Sequence, residues 1–221
     1  MPLIEKSVQQ LGFRFEDVKI LLISHAHYDH CAGSDLIKRK THAAYMVMDA
    51  DVPEIENGGR TNFRYADSPE FLYPPTKVDR TLHDGDTVKL GGVVLTAHLT
   101  PGHTKGCTTW TMQVSQNGKI YQVVIVGSPN VNSGYKLVNN SLYPNIAQDY
   151  EKCFRILESL PCDIFLGAHG DYYGLLTKYP RLAPGQPNPF IDPQGYLSYV
   201  ADRRQAFEAE LQKQLSAHTA R

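Results

Sequence analysis

The sequence predicts an α/β fold, in which helices pack against layers of β-strand, and three observations support this prediction. Short apolar runs of branched residues alternate with amphipathic stretches over the first 57 residues, as in α/β layered domains. Between residues 79 and 126, five predicted strands are separated by Gly-, Asp- and Asn-rich turns, a pattern typical of antiparallel sheet. A helix, a strand and a last helix follow. We expect one domain covering residues 1–221.

The N-terminal part is predicted to alternate helices and strands. Residues 3–11 place their apolar side chains on one helical face, whereas residues 18–24 are a branched apolar run that predicts a buried strand ending at His25. Further elements are predicted at 33–40 (helix), 42–48 (strand) and 50–57 (helix). Residues 58–78 hold two glycines and three prolines and predict a long loop, which in a compact domain is often functional.

The rest of the chain is first rich in strands and then helical. Turn sequences such as Asn117-Gly118 separate strands predicted at 79–83, 87–90, 93–98, 107–114 and 119–126. The final elements are predicted at 144–160 (amphipathic helix), 163–167 (buried strand), 180–193 (Pro-rich loop) and 194–215 (helix).

Composition argues against several classes of partner. The chain has 22 basic and 23 acidic residues, a net charge of -1 and no run of like charge, which disfavours a nucleic acid or an anionic membrane as partner. No apolar run approaches the roughly 20 residues of a membrane span, and the first ten residues lack the features of a signal peptide. The four cysteines form no CxxC pair, so they leave the redox compartment open.

The strongest chemical signal is an HxHxDH motif directly after the first predicted strand. It places His25, His27, Asp29 and His30 within six residues, and imidazole and carboxylate are ligands that zinc prefers. His25 and His27 share one side of an extended chain, whereas Asp29 and His30 fall where the chain turns towards a helix and can face a second ion. A cluster of surface histidines without function is the alternative, which this density and spacing disfavour.

Two later histidines complete a candidate two-metal site. His103 lies in Thr-Pro-Gly-His-Thr, where proline and glycine set a tight turn, and His169 is flanked by small residues. Each signal is weak alone and becomes strong beside HxHxDH. His98 is interpreted as structural, since it lies inside a predicted strand. The six ligands therefore predict a pair of zinc ions that activate water for hydrolysis.

These motifs, in this order, resemble the metallo-β-lactamase superfamily over essentially the whole chain. The resemblance implies a four-layer αββα sandwich with its site at one edge of the two sheets. It also implies two zinc ions per chain, one for each of two ligand sets. Carried over by position, these sets are His25, His27 and His103 for one ion and Asp29, His30 and His169 for the other.

Ser128 narrows the resemblance to class B, subclass 3, of the metallo-β-lactamases. Other members of the superfamily usually have a bridging aspartate or a metal-binding cysteine at this position, whereas subclass 3 has serine. The resemblance implies a zinc-bound hydroxide that attacks the β-lactam amide of penicillins, cephalosporins and carbapenems, with Asp29 orienting it. Ser128 and Asn130 are candidates to bind the substrate carboxylate, although capping of the loop explains them equally well.

The resemblance also raises expectations about the rest of the protein. Family members have several strands before HxHxDH, which here begins at His25, so we expect the sandwich to lack its first N-terminal strands. Cys162 matches a cysteine that pairs in some relatives with one on the last helix, where this chain has none, so no disulfide is predicted. The family further implies a periplasmic monomer that acts on a small-molecule β-lactam and confers antibiotic resistance.

Two alternatives remain open at this point. The chain could be another hydrolase of the superfamily, such as a glyoxalase II-like thioesterase or a lactonase, although Ser128 argues against this. It could instead be a non-catalytic metal-binding module, a hypothesis motivated by the early position of HxHxDH.

Overall fold

The computed structural model describes residues 2–219 and contains helices and two separate β-sheets. The strands are β1 (Ile20–Leu22), β2 (Ala44–Met48), β3 (Arg80–Leu82), β4 (Thr87–Leu90), β5 (Val93–Leu99), β6 (Thr108–Gln116), β7 (Lys119–Val126) and β8 (Ile164–Gly167). The α-helices are α1 (Pro2–Gln10), α2 (Tyr28–Cys31), α3 (Ser34–Thr41), α4 (Val52–Asn57), α5 (Ile146–Ser159), α6 (Leu175–Lys178) and α7 (Pro193–Thr219). Short 3-10 helices lie at Phe15–Asp17, Asp49–Asp51, Pro69–Phe71 and Tyr179–Arg181.

The two sheets differ in strand direction. The first sheet has the order β1-β2-β3, and all its strands are parallel, with Leu21 opposite Tyr45. The second has the order β4-β5-β6-β7-β8 and is antiparallel except for the pair β7 and β8. In the first sheet, therefore, all the strands end at the same edge, where the loop after β1 carries His25.

Alternation of side chains along β2 separates two hydrophobic layers. Tyr45 and Val47 face a cluster that includes Ile55 of α4, whereas Met48 faces the second sheet and packs with Trp110. The indole nitrogen of Trp110 donates a hydrogen bond to the carbonyl oxygen of Ile23 at 3.1 Å, which ties β6 to the end of the first sheet. Strand periodicity of two thus places one face of this sheet against helices and the other against the second sheet.

The outer face of the second sheet is covered by α5 and α7. Val124 and Phe165 from the sheet pack in one cluster with Tyr150, Phe154 and Phe207 from these helices. Burial of such side chains stabilises the fold by about 1.5–3 kcal/mol each. The order helix, sheet, sheet, helix confirms the predicted αββα sandwich.

The structure departs from the predicted elements at a few places. The run 18–24 forms only the three-residue strand β1. The chain leaves the sheet at Ile23, whose carbonyl oxygen accepts a hydrogen bond from the Trp110 indole. Helices α2 and α6 were not predicted, since each has four residues, too few to show a helical period. Within residues 2–219, no helix is both long and apolar enough to cross a membrane.

Candidate metal centre

The six sequence-predicted ligands come together at one edge of the sandwich. His25 follows β1, His103 lies between β5 and β6, and His169 follows β8. The backbone nitrogen of Thr108 donates to the carbonyl of Ser24 at 2.7 Å, which joins the loop after β1 to the start of β6. A cavity of about 420 Å³ opens here, and five of the six ligands line it, namely His25, His27, Asp29, His103 and His169.

His25, His27 and His103, here called the three-histidine group, are buried. Their side chains are 1%, 7% and 4% exposed, and one ligand atom from each lies within 4.8 Å of the others. Among the described residues, Nε2 of His25 is buried without a hydrogen-bond partner. Since nearly all buried polar atoms have a partner, this orphan nitrogen indicates a position for a cation.

Protein contacts hold the second nitrogen of each ring in this group. Nδ1 of His25 lies 3.0 Å from Ser24 Oγ, Nδ1 of His103 lies 2.7 Å from the carbonyl oxygen of Asn130, and Nε2 of His27 lies 3.4 Å from the Tyr135 hydroxyl. Such contacts orient each ring and leave the other nitrogen to a metal. Tyr135 was not among the site residues predicted from the sequence, because its contact with His27 joins residues 108 positions apart in the chain.

Burial also sets the protonation of the three-histidine group. Desolvation lowers the pKa of His103 to about 4, and it lowers the pKa values of His25 and His27 well below the ordinary histidine value. The neighbouring imidazoles add to this effect by mutual repulsion. These rings are therefore neutral near pH 7, as metal ligands must be.

Asp29, His30 and His169, here called the aspartate group, form a second, more open cluster. Their side chains are 57%, 11% and 42% exposed. Nε2 of His30 lies 3.0 Å from Nε2 of His169, and Oδ2 of Asp29 lies 3.3 Å and 3.5 Å from these two nitrogens. A hydrogen bond from His30 is the largest factor that lowers the pKa of Asp29, to about 2.

Both groups fit a metal ion, and zinc best. Ligands of a tetrahedral zinc with bonds of about 2.0 Å are separated by about 3.3 Å, close to the spacings within the aspartate group. Imidazole-rich sets suit zinc, whereas calcium and magnesium require mostly oxygen ligands. Three protein ligands in each group leave a position for water or substrate, as in catalytic sites.

A polar cluster lies beside the ligands. The Tyr172 hydroxyl accepts a hydrogen bond from Asn130 Nδ2 at 2.9 Å and contacts Ser128 Oγ at 3.1 Å. Asn130 and Tyr172 line the cavity, whereas Ser128 is 1% exposed and lies behind them. Burial raises the pKa of Tyr172 to about 12, so its hydroxyl keeps its proton. The sequence offered no signal for Tyr172 beyond its place three residues after His169.

The opposite side of the cavity is aromatic. The rings of Tyr65 and Phe71 lie 4.7 Å apart, and Tyr65 packs edge-on against His27 at 5.4 Å. Both belong to the loop predicted at 58–78. Among the described residues that line the cavity there is no lysine or arginine, while Asp29 and Asp171 are acidic. Burial raises the pKa of Glu54, which also lines the cavity, well above its ordinary value, so this carboxyl adds little charge. The protein itself therefore gives this cavity a negative character.

A family comparison identifies the chain over most of its length. Residues 2–169 match the model described as "Metallo-beta-lactamase superfamily". This range contains all six candidate ligands, from the HxHxDH motif to His169.

Solved structures give the same result at the level of the fold. The native FEZ-1 metallo-β-lactamase from Legionella gormanii is 55% identical, with a TM-score of 0.94 over 96% of this chain and 81% of that chain. BJP-1, a subclass B3 metallo-β-lactamase of Bradyrhizobium japonicum, is 35% identical, with a TM-score of 0.90 over 98% of this chain and 81% of its own.

Curated relatives match a shorter stretch. A probable metallo-hydrolase of Burkholderia pseudomallei is 31% identical over 105 residues, which are 48% of this chain and 34% of the relative. The match thus spans about one third of the length of the curated relatives.

Proposed function

This chain belongs to the metallo-β-lactamase superfamily, and from that membership we propose that it is a zinc-dependent β-lactamase of subclass B3. It would hydrolyse the amide bond of penicillins, cephalosporins and carbapenems in the periplasm and so confer resistance. The observation that carries the proposal is the presence of two complete candidate ligand groups at one cavity. The chain that holds them is 55% identical to the FEZ-1 metallo-β-lactamase and 35% identical to a subclass B3 enzyme.

Two zinc ions per chain would bind, one in each group. His25, His27 and His103 would hold the first, and Asp29, His30 and His169 the second. Zinc in such a site supplies a hydroxide at neutral pH and polarises the carbonyl that this nucleophile attacks. In the aspartate group, Oδ2 of Asp29 faces His30 and His169, which leaves Oδ1 to accept a hydrogen bond from the attacking water and orient it.

The polar cluster would bind the carboxylate of the substrate. Asn130 Nδ2 and the protonated Tyr172 hydroxyl are donors at the cavity surface, and a carboxylate accepts from both. Ser128 would act by holding Tyr172 in place at 3.1 Å. Neutral donors would thus take the role that a lysine or arginine has in many carboxylate sites.

The aromatic side of the cavity would receive the acyl substituent of the substrate. Tyr65 and Phe71 present ring surface next to His27, and apolar substituents bury their surface favourably against such rings. Since these side chains lie on a loop and are not candidate ligands, we expect their contacts to change the relative activity towards different substrates more than the rate of the chemical step.

Hydrolysis assays test this proposal directly. The purified protein, loaded with zinc, is incubated with a penicillin, a cephalosporin and a carbapenem, with a chelator-treated sample as control. We expect ring opening that the chelator abolishes and added zinc restores. A glyoxalase II-like thioester and a lactone are assayed in parallel. Turnover of either that exceeds turnover of every β-lactam would overturn the proposal in favour of another hydrolase of the superfamily.

A further inference from the structure

The two loops that supply the three-histidine group meet at a single buried carboxylate, that of Asp51. Its Oδ2 accepts a hydrogen bond from the backbone nitrogen of Ala26 at 3.0 Å and from Thr104 Oγ1 at 2.7 Å. Its Oδ1 accepts from the backbone nitrogen of Gly106 at 2.6 Å. Ala26 lies between His25 and His27, and Thr104 follows His103.

Asp51 is an unusual residue to bury. It is 1% exposed, and burial raises the pKa of its carboxyl, which reflects the cost of removing a charge from water. Three donors offset part of that cost. A buried carboxylate that accepts only from two separate ligand loops holds those loops at a set distance from one another.

The packing around Gly106 supports the same conclusion. A side-chain Cβ on Gly106 would lie 2.6 Å from the backbone nitrogen of Asp51 and 2.7 Å from its Cγ. The loop after His103 therefore approaches Asp51 as closely as only glycine allows. Thr104, in the same loop, is fully buried, so its hydroxyl has no solvent alternative to Asp51.

We propose that Asp51 is a positioning residue that sets the separation of the two ligand loops and thereby the zinc affinity of the three-histidine group. It contacts no ligand side chain in its hydrogen bonds; it acts through Ala26 on His25 and His27 and through Thr104 on His103. The inference rests on the proposed metal site and is independent of the β-lactam substrate.

The experiment measures zinc affinity in the Asp51→Asn variant of the full chain. To isolate the three-histidine group, both this variant and its parent carry His169→Ala, and metal-free protein is titrated with Zn²⁺ in competition with a chromophoric chelator. The amide keeps the size of the carboxylate and presents only one acceptor oxygen. We expect the dissociation constant to rise about 10- to 100-fold, the range for loss of a partner outside the ligand shell.

A matched control separates positioning from general stability. Asp163 Oδ2 accepts from the backbone nitrogen of Gln122 at 2.8 Å in a different part of the second sheet, so Asp163→Asn makes the same chemical change away from the loops. We expect its zinc affinity to equal that of the parent. Thermal unfolding of each metal-free variant is recorded alongside, because a merely structural role would lower that midpoint and leave the zinc affinity unchanged.

A milder variant covers the case in which Asp51→Asn does not fold. Thr104→Val removes one of the three donors and keeps the shape of the side chain, and we expect a rise of about 10-fold in the dissociation constant, the lower end of that range. A zinc affinity within twofold of the parent, in folded Asp51→Asn or else in Thr104→Val, overturns the inference. Absence of zinc binding by the parent protein would instead contradict the proposed metal site itself.

Discussion

The three-histidine group and the aspartate group each have three candidate ligands at one edge of the sandwich, but the two groups differ in burial and in the contacts that hold them. Every ring of the first is buried and is held at its second nitrogen by Ser24, Asn130 or Tyr135. In the second, two of the three side chains are more than two fifths exposed, and the close contacts run mainly between the ligands themselves, apart from one contact of Ser24 Oγ with His30 at 3.3 Å.

The ligand side chains of the first group are therefore already ordered in the metal-free protein, whereas those of the second would become ordered only when a metal ion binds. Buried rings with protein partners lose little further freedom when a metal binds, whereas exposed side chains have to be ordered at that moment. We therefore expect the first zinc to bind more tightly than the second. The following experiments test that order, from the largest expected effect to the smallest.

Removal of a ligand from the three-histidine group should have the largest effect. His103→Ala takes away one of three ligands and leaves a buried space next to Asn130. We expect a loss of more than about 1,000-fold in kcat/KM, or about 4 kcal/mol, and less than one tightly bound zinc per chain by metal analysis. Retention of two zinc ions by this variant would contradict the proposal that the three-histidine group binds one of them.

Acidification should destabilise the metal-free fold through the same three histidines. Below pH 6.5 the unfolded chain binds protons that the buried rings do not, so stability falls as the pH drops from 6.5 towards the folded pKa values, about 4 for His103. His103 alone accounts for a loss on the order of 3 kcal/mol. Urea midpoints of the metal-free protein between pH 7 and pH 4 measure this.

The aspartate group should respond to acid in a different window. The pKa of Asp29 is lowered to about 2, so its carboxylate stabilises the folded state at any pH above the ordinary aspartate pKa. This contribution to stability is lost only as the pH falls below about 4. A midpoint that stays constant from pH 6.5 to pH 4 would show that the three histidines are not buried as neutral rings.

Loss of the carboxylate from the aspartate group should have a smaller effect. Asp29→Asn keeps the size of the side chain but removes the charge that a dication requires. We expect one zinc per chain instead of two and a fall of about 100-fold in kcat/KM, close to 2.7 kcal/mol. If metal analysis found that Asp29→Asn lost the zinc of the three-histidine group first, the proposed order of affinity would be reversed.

Substitution of Ser24, whose hydroxyl contacts both groups, should have the smallest effect of these changes. Ser24 Oγ lies 3.0 Å from Nδ1 of His25 and 3.3 Å from Nδ1 of His30. With metals on the opposite nitrogens, both rings carry a proton on Nδ1 and can donate to this oxygen. In Ser24→Ala we expect both zinc dissociation constants to rise, each by about 10-fold. A change confined to one site would show that the two groups are independent at Ser24.

The features that could be predicted from the sequence are those marked by a local motif or by a repeated apolar pattern. Asp29 and His30 could be named because they belong to a four-ligand motif, and His103 because a Pro-Gly turn presents it. The long strands and helices were predicted because their apolar periods repeat several times, as in α5 and β7.

The remaining features depend on contacts between distant segments. Tyr172 reaches Asn130 across 42 residues and Asp51 reaches Thr104 across 53, and no local pattern marks such pairs. Ser128 was a candidate for binding the substrate carboxylate, with capping of the loop an equally good explanation. Whether Ser128 faces the cavity or lies behind Tyr172 is decided by the packing of β8 and the loop after it.

The charge of the cavity has a practical consequence for anyone seeking a complex with intact substrate. Because the described lining has acidic residues and no lysine or arginine, the proposed zinc ions would provide the positive potential that an anionic β-lactam meets. Chelation would therefore weaken the binding of substrate as well as stop turnover. A non-hydrolysable anionic ligand with the zinc ions retained is therefore the better choice for soaking, and an anionic inhibitor should give no thermal shift on metal-free protein.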